Sequence, residues 1–152
     1  MDRAARAAER FGAAADAVDA AAADVLAVNR TDLRILSAVV DGALSAGRVA
    51  EAVGLSPAAA TTAIQRLVAS GYLTREADPQ DRRRAVVELT PTARRLAERI
   101  YGPVGSAGVA ELRRFTAAEL DVIAEFLERG NALQLAQAER IRGMAAAEGS
   151  MR

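Results

Sequence analysis

Ser56–Thr90 reads SPAAATTAIQRLVASGYLTREADPQDRRRAVVELT, and this stretch decides the fold. Its signals run in the order helix, glycine stop, strand, arginine-bearing turn, strand. Ser56 is placed to cap a helix by accepting from a free backbone N–H, and Pro57 suits the first helical position, where its missing donor costs nothing. Ala60, Ile64, Leu67 and Val68 recur at a helical period and predict the buried face, while Gly71 is placed to end the helix. Tyr72 to Ala77 and Ala85 to Thr90 read as two strands, with Val87 and Leu89 alternating against Glu88 and Thr90.

The opposite face of the helix carries Ala58, Thr62, Gln65, Arg66 and Ala69, flanked by Ala59 and Thr61. Small and hydroxylated residues let a helix approach a nucleic-acid groove closely, and Thr, Gln and Arg can bond base edges or phosphates. Taken alone, such a face is an ordinary solvated one; the hairpin that follows shifts the balance. Between the strands lies DPQDRRR, in which Asp78-Pro79 starts a turn and Asp81 can pair with a neighbouring arginine. That leaves others of Arg82, Arg83 and Arg84 displayed at the tip. A projecting arginine beside a groove-fitting helix can enter the adjacent minor groove, where the negative potential is strongest.

Upstream, residues 2–28 form one long helical pattern, with Phe11, Val18 and Val25 seven apart and Ala14, Ala21 and Val28 interleaved. This heptad seam predicts packing on another helix of the same or a partner chain. Thr31 predicts the cap of a second helix running through Val40, with Leu33, Leu36, Val39 and Val40 facing inward. Leu44 reads as a brief strand pairing with the hairpin, and Ser45 as the cap of a short helix that buries Val49, Ala50 and Val53 and ends at Gly54. Gly54-Leu55-Ser56 is then the tight link of a helix-turn-helix. Downstream, Thr90-Pro91 repeats the cap-then-proline device before a helix carrying Leu96 and Ile100. Glycine and proline at 102–108 predict a kink in that helix, which is expected to reach Phe115. Thr116 to Glu119 is a capping box opening a last helix, with Leu120, Ile123, Phe126 and Leu127 on one face.

At 152 residues the chain has the length of one domain, and its alanine content with only five aromatic residues predicts a mainly α fold with a small β-hairpin. The absence of cysteine and histidine excludes disulfides, thiol switches, the usual zinc sites and imidazole catalysis, so neither a metal nor another cofactor is expected and the chain does not read as an enzyme. Formal net charge is zero, a mark against strong nonspecific nucleic-acid binding. From Arg48 to Arg99, however, nine arginines face six acids, a local excess of three that a dimer would double. No signal segment opens the chain and no run approaches the roughly 18 apolar residues of a spanning helix, so a cytoplasmic protein without a membrane partner is expected.

The segment Thr31 to Leu96 resembles the winged helix-turn-helix of the multiple antibiotic resistance regulator (MarR) family. The most specific part is D-P-x-D-R-R followed by V-x-L-T, matched by Asp78, Pro79, Asp81, Arg82, Arg83, Val87, Leu89 and Thr90. Two positions depart from the family pattern: Thr62 stands where many members have arginine, and Ala93 where they have glycine. The resemblance implies a winged helix-turn-helix at 31–95 and long terminal helices at 2–28 and 96–144 that interlock with a second subunit, within a single domain. It also implies that Ser56–Ser70 is the recognition helix and the hairpin a wing. The DNA-contacting set is then Ser56, Ala58, Ala59, Thr61, Thr62, Gln65 and Arg66 with Arg82, Arg83 and Arg84, while Asp78 and Asp81 support the wing. The implied function is a homodimeric regulator, in the ligand-responsive repressor manner, binding double-stranded DNA at a pseudo-palindromic operator, with a small-molecule effector in the crevice between reader and dimer helices. The competing reading is a winged-helix dimeric adaptor that no longer binds DNA.

Overall fold

The computed structural model describes residues 1–77 and 85–149. Among the described residues, six helices and three strands follow one another as α1 (Asp2–Leu26), α2 (Arg30–Ala38), β1 (Leu44–Ser45), α3 (Ala46–Val53), α4 (Pro57–Ala69), β2 (Leu73–Ala77), β3 (Ala85–Leu89), α5 (Pro91–Leu112) and α6 (Ala117–Gly149). They group into two compact units, Met1–Gly102 and Pro103–Arg152. Among the described residues no helix is long and apolar enough to cross a membrane.

In the first unit the strands form an antiparallel sheet in the order β1-β3-β2, with Leu44 opposite Val87 and the hairpin in register from Leu73 opposite Leu89 to Ala77 opposite Ala85. The predicted alternation holds: Val87 and Leu89 are buried, and Leu73 joins them from β2. Around this sheet edge α2, α3 and α4 close one core of Leu33, Ile35, Leu36, Val39, Val49, Val53, Ala63, Ile64 and Leu67, to which α1 adds Ala22 and Leu26 and α5 adds Ala93. The helix-turn-helix followed by a hairpin is the winged arrangement expected from the sequence.

Local chemistry places the helix ends. The Ser45 hydroxyl accepts from Arg48 N (3.3 Å) and the Ser56 hydroxyl from Ala59 N (3.2 Å), the two caps expected. Thr90 does more than cap: its Oγ1 accepts from Ala93 N (3.1 Å) and donates to Gly71 O (2.9 Å), tying the start of α5 to the end of α4. Gly54 and Gly71 stand in the left-handed region (φ 67° and 78°), each closing a helix with paired backbone bonds back into its last turn. Ala27 closes α1 in the same way at φ 51° without glycine's freedom.

Several expectations are corrected. Asn29, not Thr31, caps α2: its Oδ1 accepts from Asp32 N at 2.8 Å, and the helix stops at Ala38. Val40 and Val68 are exposed, whereas Ile35 and Ala63 complete the buried faces, because each stripe is rotated slightly from the one the sequence suggested. On α1 the buried residues are Ala22 and Leu26; Phe11 and Val25, the outer members of the heptad seam, are 70% and 67% exposed within the chain. Helix α5 runs on through the 102–108 cluster, as expected, with Pro103 inside it, but ends at Leu112 rather than Phe115. In the second unit the Thr116–Glu119 capping box forms as expected, with Glu119 Oε2 accepting from Thr116 N and Oγ1, both at 2.8 Å. Those bonds, the backbone N–H first, hold the Glu119 carboxyl below its ordinary pKa.

Candidate nucleic-acid interface

Helix α4 is seated by one face and leaves the other to solvent. Ala60, Ala63, Ile64 and Leu67 are buried, so Ala58, Ala59, Thr61, Thr62, Gln65 and Arg66 share the outward surface. This is the set singled out from the sequence, and the structure brings it together on a single helix. Nothing bulkier than glutamine or arginine rises from that surface, so the backbone can approach a partner closely. The hydroxyls are partly occupied: Thr61 Oγ1 donates to Pro57 O (2.8 Å) and Thr62 Oγ1 to Ala58 O (3.1 Å), leaving their oxygens as acceptors. Ser56 spends its acceptor on the cap and keeps its O–H as a donor at a helix N-terminus, where backbone donors and the dipole favour anions.

Arg66 differs from the others. Its Nε and Nη2 donate to the two carboxylate oxygens of Asp32 at 2.9 and 2.5 Å. The Asp32 side chain is 4% exposed and that of Arg66 50%. Hydrogen bonding to Asp32, followed by its charge, raises the Arg66 pKa above its ordinary value. Reading the sequence missed Asp32, although a signal was present: it lies on the same helical face as Ile35, Leu36 and Val39, and a carboxylate at a core position requires a partner. An open groove lined by Asn29, Thr31, Ala59, Thr62 and Arg66 runs beside this pair.

Arg82, Arg83, Arg84, Asp78 and Asp81, expected at the wing tip and its support, lie outside the described residues. The strands leading to that tip are described, and β3 is the central strand of the sheet, flanked by β1 and β2.

Within the first unit a cavity of about 540 Å³ opens between α1, α2, α5 and β3. Leu26, Leu33, Leu36, Val40 and Leu89 give it apolar walls, and Asp19, Arg94, Glu98 and Tyr101 supply polar groups. Tyr101 donates to Asp19 Oδ1 (3.0 Å) and Arg94 Nη1 to Val40 O (2.9 Å). Burial, then the Asp19 bond and charge, push the Tyr101 phenol up to about 12.

The sequence profile of the MarR family matches residues 28–84, from the turn before α2 to just before β3. A mutant of MepR from a multidrug resistant S. aureus clinical isolate shares the fold, with a TM-score of 0.66 over 82% of this chain and 92% of that one at 13% identity. Over residues 28–84 the chain is similar to the MarR family. It is also 29% identical over 123 residues, 80% of each chain, to YcgE, an HTH-type transcriptional regulator of Bacillus subtilis (strain 168). A mutant E. coli MarR complexed with operator DNA also has this fold, at a TM-score of 0.54, 20% identity, and coverage of 82% of this chain and 91% of that one.

Proposed function

We propose that this chain is a MarR-family protein, a cytoplasmic, homodimeric repressor that reads a pseudo-palindromic operator in double-stranded DNA and is released by a small molecule. The observation that carries the reading is the outward face of α4, where Thr61, Thr62, Gln65 and Arg66 stand on a helix slim enough to enter a major groove. The likeness of fold to a mutant E. coli MarR complexed with operator DNA is consistent with the same use of the helix. In this reading Ser56 and the helix N-terminus hold a phosphate, Thr61, Thr62, Gln65 and Arg66 reach bases or phosphates, and Arg82 to Arg84 serve the wing with Asp78 or Asp81 supporting them.

Two copies are supported by what each unit leaves uncovered. Phe11 and Val25 on α1, and Val122, Phe126, Leu133 and Ile141 on α6, are exposed apolar side chains on helices that the sequence patterns for pairing. A two-fold pair of reader helices matches half-sites about one helical turn apart. The effector is assigned to the 540 Å³ cavity, which is of ligand size and mainly apolar with a few polar groups. A ligand there shifts binding only by its different affinity for DNA-competent and incompetent states.

The adaptor reading has one observation in its favour, a net charge of zero. Salt separates the two. A DNA reader loses affinity for duplex steeply as salt rises, by counterion release, with log K linear in log salt. An adaptor shows no such slope, and a flat response over the accessible salt range would remove DNA binding from the account.

A further inference from the structure

The ion pair between Asp32 and Arg66 joins residues 34 apart in sequence and links the first turn of α2 to the outward face of the reader helix. Its two ends are unequally buried: the carboxylate is in the core, the guanidinium at the surface. A buried carboxylate cannot follow a mobile partner, and here it is fixed twice more, by its position in the first turn of α2, where the helix dipole favours negative charge, and by the Asn29 cap on its own backbone N–H. The guanidinium is planar, so two bonds from Nε and Nη2 to two fixed oxygens set its plane and leave little rotation. The edge formed by Nη1 and the second N–H of Nη2 remains, and Nη1 has no partner among the described residues. That edge is a two-donor fork, the shape that matches a phosphate or the O6 and N7 acceptors of guanine.

We propose that Asp32 is a positioning residue for DNA recognition, holding the Arg66 guanidinium so that its outer edge is presented to DNA in one orientation. This rests on the reading of α4 as the DNA reader and adds to it a residue that does not itself touch DNA. A purely structural brace between α2 and α4 uses the same two bonds, so the test turns on sign. Asp32→Asn removes a negative charge near the reader, and long-range electrostatics alone then strengthens binding to any duplex. Loss of positioning weakens binding only to the preferred one.

The probes are a duplex enriched from a random-sequence pool by the full wild-type chain and a scrambled duplex of equal length, titrated at one salt concentration. Asp32→Asn is expected to lower affinity for the enriched duplex by about tenfold, within the range that one bidentate contact is worth, while affinity for the scrambled duplex is unchanged or higher. Arg66→Lys keeps the charge and an ion pair but not the fork, and is expected to lose discrimination to a similar extent; adding Asp32→Asn to it changes affinity for the enriched duplex less than twofold. Thermal unfolding by circular dichroism establishes that each variant is folded, and Arg66→Lys carries the test if Asp32→Asn is not. Full discrimination in Arg66→Lys, wild-type discrimination in folded Asp32→Asn, or an undiminished Asp32→Asn effect in the Arg66→Lys background overturns the proposal. A wild-type chain that enriches no sequence overturns the DNA-reading function as well, so the two failures are distinct.

Discussion

Helices α4 and α6 are both patterned with apolar residues, yet the chain treats them in opposite ways. On α4 the apolar side chains Ala60, Ile64 and Leu67 are at or below 2% exposure, and Thr61, Thr62, Gln65 and Arg66 stand outward among small alanines, with Val68 at the edge of the buried face. On α6, which at 33 residues is about 50 Å long, none of the described side chains is buried, and Phe126 and Leu133 are 56% and 60% exposed. The capping box at Thr116 and the Glu125–Arg129 pair one turn apart support α6 locally. What differs is where stability comes from: α4 draws it from its own chain, whereas α6 keeps apolar surface that another copy is proposed to cover.

The largest effect that sharpens this contrast is Leu67→Ala. It empties a core site on α4 and is expected to cost about 2–5 kcal/mol in chemical denaturation. Phe126→Glu on α6 is expected to leave the unfolding of a single chain within about 0.5 kcal/mol while converting a dimer to monomer in light scattering at micromolar concentration. If the two variants destabilise equally and the mass is unaltered, the distinction between the helices fails.

Smaller effects test the backbone in the two regions with opposite substitutions. Ala27 holds a left-handed conformation that costs an L-residue about 1–2 kcal/mol, so Ala27→Gly is expected to stabilise by about 1 kcal/mol despite the added chain entropy. Gly130 lies inside α6, and a Cβ added there meets nothing within 4 Å. Gly130→Ala is therefore expected to stabilise by about 0.5–1 kcal/mol through helix preference. Denaturation midpoints check both, and a loss in either case contradicts the assigned backbone state.

The smallest expected effect is on titration. The Tyr101 phenol is raised from 10.0 to about 12 by burial and by Asp19. Its contribution to stability is therefore complete below pH 10 and disappears as pH rises towards 12. Ultraviolet absorbance of the phenolate in wild type and Tyr101→Phe is expected to show the late-titrating group missing from the variant. The same titration curve per phenol in wild type and variant, with no late phase in wild type, would remove the Tyr101–Asp19 bond from the first unit.

Most of the fold was legible because its signals are local. Ser45, Ser56, Thr90 and the Thr116–Glu119 box act within three residues of themselves, and Gly54 and Gly71 answer to their own φ. Where two residues could serve one role, sequence alone did not choose: Asn29 and Thr31 are both capping types, and Asn29 prevails. Stripe edges failed similarly, Val40 and Val68 lying just outside faces whose centres were placed correctly. The outward set on α4 followed from periodicity, but the tie that distinguishes Arg66 from Gln65 did not, since Asp32 lies 34 residues away and only packing brings them together.

The most direct test of the whole account is selection of bound duplexes from random DNA by the intact protein. Two copies of α4 held by paired helices predict an enriched inverted repeat with half-site centres about 10 base pairs apart, protected symmetrically in a footprint. Enrichment of a single unrepeated site would contradict the paired arrangement, and no enrichment at all would contradict the claim that the outer face of α4 reads DNA.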